Sequence, residues 1–448
     1  MDPNSIASHS QSTRGVESEP KQALPAYTNQ RKVQKPKEFQ YKVEKGGKAI
    51  AVLTLNTEGG ISRTIPTYSE GAIIKGNVSL DLDRPDSIRS VTVNVRGQFI
   101  TGVNPDDQIN FIDISQSLWS RANGAPRNST ATPHGTLSTK PEHTAKFKGK
   151  LHGEYVWPFA IALPQKVDMP LIGQVALGSF APPQTFSERN IYATVYYKIS
   201  VRIVRGSFRS DRRMSTQFGY IPVLRPPCFP PLRLLAYQEG KPLTGPTLNE
   251  DEWHPQGPTM IQSQSLDGSL ISINCTLYLS KPLAYTRSTV IPLCIKLECG
   301  DAPTLKLLTS PKGINVSLRR SVKCGIPEKK ANAKVVVYKE VIDDSIPAVW
   351  WPSTLGADEA RSQDGVRFVN GEIHLKSDLK PTSDMPLLQV QYSVVLLPFT
   401  VPGFTHSETG PIFQVPVQIM TAYAPGPRPV KSAPPGYDID VTLASTHK

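Results

Sequence analysis

The sequence predicts an all-β chain, two tandem immunoglobulin-like β-sandwich lobes carried between disordered N- and C-terminal tails. Three observations lead there. Apolar and polar residues alternate at the two-residue period of half-buried strands. The 31 glycines and 42 prolines fall between these short segments as turn punctuation rather than in one block. Convincing amphipathic helices are almost absent. At 448 residues the chain is too long for one ordinary core, and two lobes of about 160 to 175 residues are each long enough to bury their own.

The elements follow in order. Residues 1–47 are polar and basic, with little apolar periodicity, and are expected to form a disordered basic tail. The first lobe is expected over 48–224, beginning at Ile50-Ala51-Val52-Leu53. Val78, Leu80 and Leu82 share one strand face, as do Val91, Val93 and Val95, and alternation from Ile191 through Ile203 predicts a long strand. A polar stretch at about 118–148 cannot bury enough apolar area to order itself and reads as an inserted loop. The proline-rich passage 225–258 is expected to connect the lobes. Alternation resumes at Ile271, Ile273, Cys275, Leu277 and Leu279, and ends at Phe413, Val415, Val417 and Ile419, giving a second lobe over 259–422.

Residues 423–448 are again proline-rich, favouring polyproline II over sheet pairing. Within them lies Pro434-Pro435-Gly436-Tyr437. WW domains bind such a motif because two preordered prolines enter an aromatic groove at low entropic cost and the tyrosine fills a second pocket. Extended from Ala422, the tail is expected to reach roughly 30 to 35 Å, at about 3.1 Å per residue, clear of the folded body. Leu24-Pro25-Ala26-Tyr27 has the related LPxY form in the other tail. Two weak motifs gain from multivalent binding to a partner with several WW domains.

Several segments resemble a known family. PTYSEGAIIKGNVSLDL from Pro66, SVTVNVRGQF from Ser90, GEYVWPFAIALP from Gly153 and FSERNIYATVYYKISVRIVRG from Phe186 are similar to successive N-lobe elements of arrestins. PLAYTRSTVIPLCIKL from Pro282 and LQVQYSVVLL from Leu388 are similar to C-lobe strands. With its tail motif the chain most resembles fungal α-arrestins. That resemblance implies an adaptor that brings a WW-domain HECT-type ubiquitin ligase to membrane transporter cargo, working in the cytoplasm with recruitment to the plasma membrane or endosomes. The alternative it implies is a ubiquitin-independent sorting scaffold of retromer type. Arg287-Ser288-Thr289 stands in the turn where many arrestins carry glycine, and neither the N-lobe helix nor the buried charge cluster of visual arrestins is recognisable.

Two basic groups are candidates for cargo tails or an anionic membrane surface: Arg205, Arg209, Arg212 and Arg213, and Arg319, Arg320 and Lys323. A solvated strand face is the plainer reading of both. Trp350-Trp351-Pro352 reads either as an exposed anchor or, preferably, as packing under a loop. No GxSxG, HExxH, P-loop or dinucleotide fingerprint occurs, so neither catalysis nor a cofactor is expected. The five cysteines form no CxxC pair and have no matching histidine cluster, which predicts structural thiols and no metal site. No secretory signal or bilayer-spanning run is evident. The net charge of +12 leaves nucleic acid open in principle, but nothing else supports it.

Overall fold

The computed structural model describes residues 37–58, 64–102, 108–126, 146–170, 177–206, 209–264, 270–330, 333–352, 365–402, 405–406 and 410–437. The Leu24 to Tyr27 motif therefore lies outside the described residues.

Twelve strands make the first lobe. They are β1 (Lys37–Lys45), β2 (Lys48–Thr57), β3 (Thr67–Ser69), β4 (Ile73–Asp86), β5 (Ile88–Ile100) and β6 (Gln108–Ser120). Then come β7 (Leu151–Ala162), β8 (Val167–Pro170), β9 (Leu177–Phe180), β10 (Phe186–Glu188), β11 (Ala193–Arg205) and β12 (Arg212–Ile221). One sheet has the order β1-β2-β4-β7 and another β3-β12-β11-β5-β6, with β10 added to β11, while β8 and β9 pair as a separate two-stranded ribbon. Leu53, Val78 and Leu80 from the first sheet and Val93, Tyr197 and Ile199 from the second are buried in the core. Their alternation with exposed neighbours is the period-two pattern of the sequence. Ile191 belongs not to β11 but to a 3-10 turn before it, where Tyr192 takes a left-handed φ of 55°.

The strand β1 corrects the expectation of a disordered segment up to residue 47. It pairs antiparallel with β2 from Lys37↔Thr57 to Lys45↔Lys48, and Phe39, Tyr41 and Val43 pack against the core. As an edge strand it buries only one face, and its lysines and glutamates fill the other.

The connection contains α1 (Pro231–Glu239), which starts on Pro231 and stops at Gly240 with φ 65°, the usual proline and glycine punctuation of a helix. The second lobe comprises β13 (Trp253–Gln264), β14 (Leu270–Ser280), β15 (Ala284–Thr286), β16 (Val290–Glu298), the short α2 (Ala302–Leu308), β17 (Val316–Lys330) and β18 (Ala333–Pro352). It continues with β19 (Val366–His374), β20 (Ser383–Met385), β21 (Leu388–Leu396), β22 (Thr405–His406) and β23 (Phe413–Met420). These form one continuous sheet, because the long β18 pairs with β17 up to Pro347 and with β19 from Ala348 onward. Trp350 is buried and Trp351 half-buried at that switch, so the pair is packing rather than an exposed anchor. Gly371 makes room: a Cβ there would lie 2.5 Å from the Trp350 ring.

The lobes touch through Arg320, 3.1 Å from Glu188, and through Arg287, whose Nη1 donates to Gln184 Oε1 at 3.3 Å. Ser288 in the adjacent turn adopts φ 65°, a conformation glycine takes without strain.

Candidate functional site: a docked tail and two arginine clusters

The chain leaves β23 stitched to the connection. Thr421 and Ala422 donate their backbone amides to Leu224 O at 3.1 and 2.9 Å, and Thr421 Oγ1 donates to Pro222 O at 2.5 Å. Arg225 Nη1 donates to Tyr423 O at 2.9 Å, and the Arg428 guanidinium lies 4.2 Å from the Tyr423 ring centroid. Gly426, at φ 98°, passes so close to α1 that a Cβ would come within 3.1 Å of Leu234.

This path ends on Glu372. Its carboxylate, on β19 between β16 and β18, is 1% exposed. The backbone amides of Ser432 and Ala433 donate to its two oxygens at 2.9 and 3.2 Å, and His374 Nε2 lies 2.6 Å away. A buried carboxylate needs such partners, since an unpaired one carries the full desolvation cost. On α1, buried Arg233 donates from its guanidinium to Tyr237 Oη at 2.8 Å and to Lys281 O, and its backbone amide donates to Glu252 Oε1 at 3.2 Å. Burial pushes the Tyr237 hydroxyl up, Arg233 opposes it, and the charges of Glu252 and Glu372 add to it.

Residues 423–437 are thus an ordered run laid against the body, which corrects the expectation of a tail free from Ala422 onward. Side-chain composition gave no sign of this because the anchoring donors are main-chain amides. The motif itself closes a turn: Tyr437 N donates to Pro434 O at 2.9 Å. Pro434 is half-buried, whereas Pro435 and Tyr437 are exposed.

The two arginine groups differ. Arg205, Arg209 and Arg212 converge on buried Asp86 at 2.7, 3.0 and 3.8 Å. Burial would push the Asp86 carboxyl up, but the Arg205 hydrogen bond and the three positive charges outweigh it and hold the group below the usual range. Arg202 pairs with Asp211 at 2.7 Å, and Arg213 is exposed. One carboxylate among three guanidiniums leaves local positive charge in excess. In the second group Arg319 makes a two-pronged contact with Asp344, Arg320 bridges Glu188 and Asp343, and Lys323 lies 3.7 Å from Glu340. Those cations are neutralised within the fold.

All five cysteines are free thiols. Burial pushes Cys275 and Cys294 up to about 12 and Cys324 to about 11, which keeps them protonated and inert. Among the described residues there is no cluster of three or more metal-ligating side chains, and no helix is long and apolar enough to cross a membrane.

Residues 60–225 match the family model of the arrestin (or S-antigen) N-terminal domain. The first lobe is similar to the arrestin N-terminal domain over those residues. The match ends where the first lobe passes into the connection that carries α1. Among curated proteins none matches the chain significantly. The arrestin likeness agrees with the paired sheets and with the Pro66, Ser90, Gly153 and Phe186 segments, which fall on β3–β4, β5, β7 and β10–β11. Asp86, Glu188 and Glu372 are the site residues that sequence reading missed. Each is an acidic residue at an inward or interfacial strand position, the one local signal available.

Proposed function

We propose that the chain is a non-catalytic adaptor whose lobes hold membrane cargo and whose tail presents Pro434-Pro435-Gly436-Tyr437 to the WW domains of a HECT-type ubiquitin ligase. The observation that carries this reading is the placement of the motif. It follows an arrestin-type body at the end of an anchored tail, with Pro435 and Tyr437 turned to solvent. The mechanism is proximity: bridging cargo and ligase raises the effective concentration of acceptor lysines, and no residue need perform chemistry.

The docked conformer is not yet the one a WW groove accepts. Pro434 is partly covered and the four residues are folded into a turn, whereas the groove reads both prolines on an extended polyproline II strand. Binding then requires the segment to lift from Glu372, which lowers the apparent affinity by the fraction of time it is docked. Capture of the full chain by immobilised WW domains tests the reading. Capture should be lost on Tyr437→Ala and unaffected by Tyr27→Ala if the C-terminal motif suffices. Equal capture of the wild type and the Tyr27→Ala/Tyr437→Ala double variant would instead support a scaffold that works without the ligase.

A further inference from the structure

The end of the first lobe farthest from the second is a basic pole. Strand register places its parts together: the β1–β2 turn at Lys45–Lys48 lies beside the end of β4, Asp86 pairs with Leu151 at the start of β7, and Arg205 pairs with Ile88 at the start of β5. The segment before β7 joins them, since Phe147 N donates to Arg121 O at 2.8 Å and Arg121 Nε to Ile88 O at 3.0 Å. The opposite end carries Glu188 and Tyr192, which meet Arg320 and Lys339 of the second lobe.

Some of the charge at this pole is internal. Lys48 pairs with Asp81 and Asp83 at 2.8 and 2.5 Å, and Arg202 with Asp211. The rest is not. Lys45, Arg84, Lys146, Lys148 and Lys150 are exposed and have no ion-pair partner among the described residues. Beneath them the Asp86 group adds three guanidiniums on one carboxylate, with Arg205 Nε and Arg212 Nη1 buried and without an acceptor among the described residues.

We infer that this pole docks on an anionic phospholipid surface. Its exposed cations come from three neighbouring places at the blunt end of a sandwich: the β1–β2 turn, the end of β4 and the segment before β7. Four of the five are lysines, compact charges on flexible stems that follow mobile headgroups, whereas the rigid arginine fork suits a fixed carboxylate. Attraction of this kind is set by the number of basic residues near the surface and is screened by salt. Docked this way, the second lobe stands away from the lipid, since it meets the opposite end of the first. The inference does not depend on the ligase reading.

The test is co-sedimentation of the full chain with phosphatidylcholine vesicles with or without about 30 mol % phosphatidylserine. Binding should need the anionic lipid and weaken as salt rises. Lys146→Glu/Lys148→Glu/Lys150→Glu should reduce partitioning at least about tenfold, and the charge-matched Lys306→Glu/Lys312→Glu/Lys376→Glu of the second lobe less than about twofold. Circular dichroism confirms that each variant is folded, and Lys→Gln replacements serve if a reversal is not tolerated. Equal losses in both variants, equal binding to neutral vesicles, or no vesicle binding alongside capture of a soluble polyglutamate peptide would overturn the inference.

Discussion

Asp86 and Glu372 are both buried carboxylates, 4% and 1% exposed, yet they are satisfied in opposite ways. Asp86 sits among guanidiniums that all come from the β11–β12 hairpin of its own lobe, so its partners are present once the lobe has folded. Glu372 receives two uncharged backbone donors from a terminal segment about sixty residues on, together with His374. The first carboxylate closes a local staple with charge left over. The second makes the position of a distant peptide conditional on two hydrogen bonds, which is the more easily reversed arrangement.

The contrast can be broken from either side. The largest effect is expected for Asp86→Ala, which leaves the three guanidiniums facing one another and should cost about 3 kcal/mol in chemical denaturation, with no change in protease sensitivity of the tail. Glu372→Ala should do the reverse. It should cost about 1 to 2 kcal/mol, release residues 423–437 to hydrogen exchange and proteolysis, and tighten WW-domain binding at least about threefold as the docked fraction falls. Loss of WW binding in that variant would show that the docked form is the binding form.

Acid titration sharpens the same comparison. The folded Asp86 carboxyl titrates below its unfolded range near 3.9, so its stabilisation is fully present above that value and disappears as pH falls through the lower folded one. Thermal melts of the wild type should therefore drop more steeply below about pH 4 than those of Asp86→Asn. The smallest effect is expected at the lobe junction, where Ser288→Gly removes left-handed strain and should raise stability by no more than about 1 kcal/mol.

What could be read in advance follows from where the information lies. The long alternations ending at Ile203, Leu279, Leu396 and Ile419 became β11, β14, β21 and β23, because burial of one sheet face writes itself into side-chain order. The strand β1 was hidden by its own charges: Phe39, Tyr41 and Val43 alternate properly, but an edge strand keeps a polar outer face. Helix α1 carried its start and stop residues, Pro231 and Gly240, inside a passage whose other prolines masked them. The arginines of the first cluster were visible, while their acid, Asp86, lies more than a hundred residues earlier and only the β4–β5 corner brings it to them. The tail motif was legible as four letters. Its docking was not, since amide donors exist at nearly every residue and only the fold supplies a buried Glu372 to receive them.

The adaptor reading meets its most direct test in calorimetric titration of the full chain with a tandem WW fragment of a HECT-type ligase. Saturable binding by the wild type, tighter binding by Glu372→Ala and none by Tyr437→Ala is the expected result. Binding that survives Tyr437→Ala unchanged, or no binding by the Glu372→Ala chain with its tail free, would contradict it.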